Sequence, residues 1–168
     1  MYAKKLSVSA ILTAAVFSAL LICPSGWAAT ATSSFQVTLT IQAECKLTSA
    51  STLAFGTSGV LVAAINGTSI IDVQCTNTTP YNIGLDAGTG AGATVAARKM
   101  TSSANTVTYG LYRDAAFTQV WGDTVATNTA AGTGNGAVQP YTVHGQIAAQ
   151  TTPAAGSYAD TVLVTITY

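Results

Sequence analysis

One histidine, six carboxylates and two glycine-rich runs are the residues of this chain that could do chemistry. His144 is the single candidate base for nucleophilic catalysis, which needs Ser or Cys beside a base and a third group to orient it. No G-x-S-x-G elbow occurs, and His144 sits among alternating strand residues, so it reads as a half-exposed structural histidine. An acid/base pair would need two carboxylates converging on one bond. Asp114, Asp123 and Asp160 instead fall at turns or strand starts, where Asp bonds its own backbone. Gly88-Thr89-Gly90-Ala91-Gly92 and Gly132-Thr133-Gly134-Asn135-Gly136 resemble phosphate cradles. A cradle needs a following helix and a Lys-Ser/Thr pair, and neither pattern follows, so both read as loops. The composition thus points away from an enzyme and implies no cofactor or small-molecule substrate.

Lys4 and Lys5 precede a largely apolar run, Leu6 to Ile22, and the small residues around Gly26-Trp27-Ala28 follow. Residues 1–28 therefore read as a cleaved secretory signal. A membrane anchor is the rival reading, but the run is short for a hydrocarbon core of ~30 Å. A lipoprotein attachment at Cys23 is disfavoured by Ile22, where a small residue is expected.

What remains, about 140 residues, is an ordinary single-domain length. It carries Lys46, Arg98, Lys99 and Arg113 against the six carboxylates, without a basic patch, which excludes a nucleic-acid surface. Cys45 and Cys75 are the cysteines left after the signal. An even count in an exported chain favours a disulfide. A metal site is the alternative, with one histidine and no CxxC to support it.

Turn residues break the chain every eight to twelve positions, the spacing of an antiparallel sandwich or barrel. Strands are expected at Ser34–Gln42, Leu53–Gly56, Val60–Ile65 and Thr68–Thr76, with Asn66-Gly67 as a hairpin turn. Further strands are expected from Pro80 to Leu85, Val107 to Tyr112, Thr118 to Trp121, Pro140 to Ile147 and Asp160 to Tyr168, with loops at 87–97 and 124–137. Tyr109, Tyr112, Phe117 and Trp121 cluster in one hairpin, as packing residues or as a sugar-binding surface.

The two ends are the most telling part. Phe35, Val37, Leu39 and Ile41 form an isolated apolar stripe of period two. The chain then ends inside a second stripe, Val162, Val164, Ile166 and Tyr168. A sheet that ends mid-strand leaves an open edge, and such edges template further pairing. The first stripe is either the first strand of its own sandwich or a strand that completes a neighbour. A head-to-tail contact of the second kind need not close and can propagate as a fibre.

Several segments resemble the spore coat protein U family. They are Leu53-Ala54-Phe55-Gly56, Arg98-x-Met100, Tyr109-x-Leu111-Tyr112-x-Asp114 and Val120-Trp121-Gly122. The close adds Val143-x-Gly145-x-Ile147, Pro153-Ala154-x-Gly156-x-Tyr158-x-Asp160-Thr161-Val162 and Val164-Thr165-Ile166-Thr167-Tyr168. That family includes subunits of archaic chaperone–usher pili of Gram-negative bacteria. The resemblance implies an all-β, incomplete immunoglobulin-like antiparallel sandwich completed by a donor strand. It implies export through the periplasm to the cell surface. The implied partners are a periplasmic chaperone, an outer-membrane usher, copies of the same chain and other pilus subunits. By position, Phe35, Val37, Leu39 and Ile41 in segment 29–42 would be donor residues. Val162, Val164 and Ile166 in domain 43–168 would line the acceptor groove, and Cys45–Cys75 would be the disulfide. Attachment and biofilm formation would be the role, as a shaft or adaptor subunit. A secreted protective coat protein and a secreted carbohydrate-binding module are the alternatives.

Overall fold

The computed structural model describes residue 26 and residues 28–168, so the expected signal lies almost wholly outside the described residues. The chain divides into two units, Met1–Leu39 and Thr40–Tyr168. Among the described residues of the first unit there is no strand, and Phe35, Val37 and Leu39 are exposed. The strand expected at Ser34–Gln42 is therefore not formed. Its alternation is that of a strand, but a strand exists by virtue of a ladder, and no described residue supplies one.

The second unit is built from eight antiparallel strands: β1 Cys45–Ala50, β2 Ile65–Cys75, β3 Pro80–Leu85, β4 Arg98–Ser102, β5 Asn105–Tyr112, β6 Ala130–Thr133, β7 Val138–Ile147 and β8 Val164–Thr167. They form a five-stranded sheet, β1-β2-β7-β5-β4, and a three-stranded sheet, β6-β3-β8. The inner faces carry Ile71, Val73, Tyr81, Ile83, Leu85, Val107, Leu111 and Val143, all buried. Alternation in the sequence produces this directly, because successive strand residues face opposite sides. Pro80 opens β3, where its missing N–H removes no ladder bond. Cys45 and Cys75 face each other across β1 and β2 and are joined as a disulfide.

Several local expectations are corrected. Asn66-Gly67 makes no turn; β2 runs straight through it, with Asn66 opposite Gln146 and Gly67 opposite Gly145. Ten consecutive pairs with β7 outweigh the turn preference of a dipeptide. Leu53–Gly56 and residues 60–64 are not strands; they belong to an irregular crossing between β1 and β2. The expected loop 124–137 contains β6, which pairs with β3 through Tyr81–Gly132 and Ile83–Ala130. Thr118–Trp121 returns along β5 by a single bridge, Tyr112 to Val120, without a full strand.

Candidate functional site

The residues first suspected of chemistry have structural roles. His144 is half-buried on β7, edge-on to the Phe117 ring at 6.4 Å. Asp114 accepts bonds from the Thr118 and Gln119 amides and the Thr118 hydroxyl, which closes its turn and holds its carboxyl below the usual range. Trp121 and Tyr109 are buried in the core, and Tyr112 packs edge-to-face on Phe117 at 5.6 Å. The hairpin aromatics therefore form packing, not a sugar platform. Among the described residues no three His, Cys, Asp or Glu side chains gather as metal ligands.

The site that stands out is the edge of β8. On one side β8 pairs with β3. Leu163 donates its N–H to the Asp86 carboxylate and accepts from the Asp86 N–H. Strand alternation turns the N–H and C=O of Val162, Val164 and Ile166 to the other side. There no described residue pairs with them. Beside this edge lies a groove of about 1420 Å³. Its floor includes Met100, Val107, Tyr109, Leu111 and Ile147. One wall is the crossing from Ala50 to Gly59, and the other runs from Thr152 to Val164. Val162 and Val164 are among the residues lining the groove, whereas Ile166 packs against the core outside that lining. On the same chain Phe35, Val37, Leu39 and Ile41 are 87%, 84%, 84% and 76% exposed.

Two polar residues, marked in the sequence only as motif and turn residues, anchor the strands around the groove. Arg98 is fully buried and donates to the carbonyls of Asp86, Val95, Leu85 and Trp121 at 2.7–2.9 Å. Burial lowers its pKa, yet four carbonyls satisfy the guanidinium without a direct carboxylate partner. It ties the start of β4 to the end of β3.

Asp160 stands at the groove wall. It accepts from the Tyr109 hydroxyl at 2.7 Å, and from the amide and hydroxyl of Thr89 at 2.8 Å each. Partial burial pushes its carboxyl up, but bonds from the Thr89 amide, Tyr109, the Thr89 hydroxyl and the Thr161 amide outweigh this, so its pKa is lowered. Burial first, and then the bond to Asp160, raise the Tyr109 hydroxyl. A carboxyl whose folded pKa is depressed stabilises the fold above its unfolded value, and that stability is lost as pH falls through the folded value. Asp160→Asn is thus expected to be less stable than the parent chain at pH 7, with the gap closing below pH 3.8. Denaturant midpoints across pH 2–7 check this, and a gap independent of pH would contradict it.

The family model of the Spore Coat Protein U domain matches residues 31–165. "Protein U" of Myxococcus xanthus is 33% identical over 183 residues, covering all of both chains. A chain in the crystal structure of the CsuC–CsuE chaperone–tip adhesion subunit pre-assembly complex, from archaic chaperone–usher Csu pili of Acinetobacter baumannii, superposes with a TM-score of 0.55 at 22% identity. The match covers 77% of this chain and 40% of that one. The all-β, antiparallel architecture thus resembles the immunoglobulin-like fold found in that chaperone–usher pilus complex. Over nearly all of its described length, this chain belongs to the Spore Coat Protein U domain family.

Proposed function

We propose that this chain is a structural subunit of a surface pilus, built by strand donation from one copy to the next. The observation that carries the reading is the pairing of an open-edged apolar groove with an exposed apolar stripe on the same chain. In this reading residues 29–42 are the donor segment and residues 43–168 the acceptor domain. Phe35, Val37, Leu39 and Ile41 of one copy enter the groove of another and pair with the free side of β8. Val162 and Val164 line that contact, and Ile166 flanks it. Burying four such side chains is worth roughly 6–12 kcal/mol before ordering costs. Ladder bonds to the β8 edge add specificity of register.

The process is an exchange of strands and needs no catalytic group. A periplasmic chaperone fills the groove during folding, and an outer-membrane usher exchanges it for the next subunit's donor. Export through the periplasm to the surface of a Gram-negative cell, and a role in adhesion and biofilm formation, follow from this reading. The family's name favours a second reading, a secreted coat protein that polymerises by the same contact. Expression with and without a chaperone and usher separates the two. The pilus reading expects SDS-resistant ladders and fibres by electron microscopy only when both are supplied. Fibres that assemble without them would favour the coat; soluble monomer in every case would sink both.

A further inference from the structure

The groove wall that follows β1 is held in an unusual way. Ser51 is fixed to β2 by bonds between its backbone and side chain and Ile70, and Leu61 is fixed by bonds to Thr152 and Gln150. Between them, residues Thr52–Val60 make no hydrogen bond to any described residue. Their position depends on packing, and the side chains that pack are Leu53 and Phe55, both half-buried. They lie on a cross-strand glycine pair, Gly67 of β2 and Gly145 of β7. A Cβ at Gly145 would come within 2.7 Å of Leu53 Cδ1 and 3.0 Å of Phe55 Cζ. A Cβ at Gly67 would meet the Ala54 carbonyl oxygen at 3.1 Å and Leu53 Cδ2 at 3.2 Å. Neither glycine has a positive φ. Glycine inside a strand ordinarily weakens it and marks a close approach. Here the approach is that of the wall itself.

We propose that Gly67 and Gly145 are positioning residues for strand capture: together they form the seat that sets the Leu53–Phe55 wall, and so the width of the groove offered to an incoming strand. The inference rests on the strand-donation reading and adds the element that tunes it. Alanine at position 145 must displace the Leu53 δ-methyls and the tip of the Phe55 ring, the atoms by which the wall rests on the sheet. With no hydrogen bond between Thr52 and Val60 to restrain it, the wall is free to move with them. The core strands themselves are untouched, so capture suffers more than folding does.

The test uses the exported chain carrying Leu39→Asp, which keeps the groove but disables its own donor. Its binding of a fluorescent peptide spanning residues 33–43 is measured by anisotropy, with thermal midpoints read in parallel. Gly145→Ala is expected to weaken binding roughly tenfold, and Gly67→Ala in the same direction. Thr142→Ala, on the outward face of β7, should leave binding unchanged. In a Leu53→Ala background, where the methyl has room, Gly145→Ala should cost at most about twofold. Unchanged affinity in Gly145→Ala would overturn the assignment. So would a lowered midpoint with normal affinity, or strictly additive effects with Leu53→Ala. Failure of the Leu39→Asp chain itself to bind the peptide would instead defeat strand donation, and the seat with it.

Discussion

A chain carrying Leu39→Asp is expected to fold and to stop assembling. Leu39 is 84% exposed, so replacing it costs the free subunit little; surface substitutions of this kind usually stay within ±0.5 kcal/mol. In the assembled state the same side chain would be dry. The variant then loses the ~2 kcal/mol of a buried leucine and must also desolvate a carboxylate or protonate it, a further cost of several kcal/mol. Together these exceed about 4 kcal/mol, or roughly a thousandfold in affinity at 1.4 kcal/mol per tenfold. Sedimentation and SDS-resistant ladders read the effect. The variant should appear as monomer or chaperone complex, and should still accept a donor from an unaltered copy, capping its growth. Ladders of normal length from the variant alone would remove Leu39 from the contact.

The second large effect is expected at Arg98. Arg98→Met keeps much of the volume and removes the guanidinium, leaving the carbonyls of Leu85, Asp86, Val95 and Trp121 without their donor. Orphaning buried acceptors costs about 1–3 kcal/mol each when water cannot replace the lost partner. Loss of the buried cation relieves part of this, because its own desolvation no longer opposes folding. A net destabilisation of roughly 3–5 kcal/mol is expected, a large share of a total that is typically 5–15 kcal/mol. Arg98→Lys should recover little, since a single ammonium cannot reach four carbonyls in a fork. Guanidinium midpoints of the subunit saturated with donor peptide measure both variants. A loss under 1 kcal/mol for Arg98→Met would show that the four bonds are not a structural anchor.

Much of the fold was legible because alternation is enforced by burial. The inward residues of β3, β5 and β7 (Ile83, Leu111 and Val143 among them) stand at strand period in the sequence and are buried in the structure. The failures have specific causes. Asn66-Gly67 has the local signature of a turn, but its partner strand lies some eighty residues away, and a long ladder decides the matter. A Cβ at Gly67 would crowd the Ala54 carbonyl and the Leu53 side chain, a tertiary constraint that a dipeptide turn signature does not reveal. β6 is hidden in a Thr/Gly/Asn-rich run because its contribution is backbone pairing with β3, not an apolar stripe. Arg98 was visible as a residue but not as a centre. Its four partners come from positions 85, 86, 95 and 121, and no spacing along the chain announces a ring of carbonyls. In the candidate site, Val162 and Val164 belong both to the terminal stripe of the sequence and to the lining of the groove. The wall at Leu53–Phe55 was not legible, because its form depends on the absence of side chains beneath it.

Hydrogen exchange at β8 tests the central claim most directly. The amides of Val162, Val164 and Ile166 face the unpaired side of the strand, so in monomeric Leu39→Asp they should exchange freely. In fibres of the unaltered chain the same three amides should be protected by orders of magnitude, while those of Thr165 and Thr167, already paired with β3, change far less. Fibres in which Val162, Val164 and Ile166 exchange as fast as in the monomer would contradict strand donation at this edge.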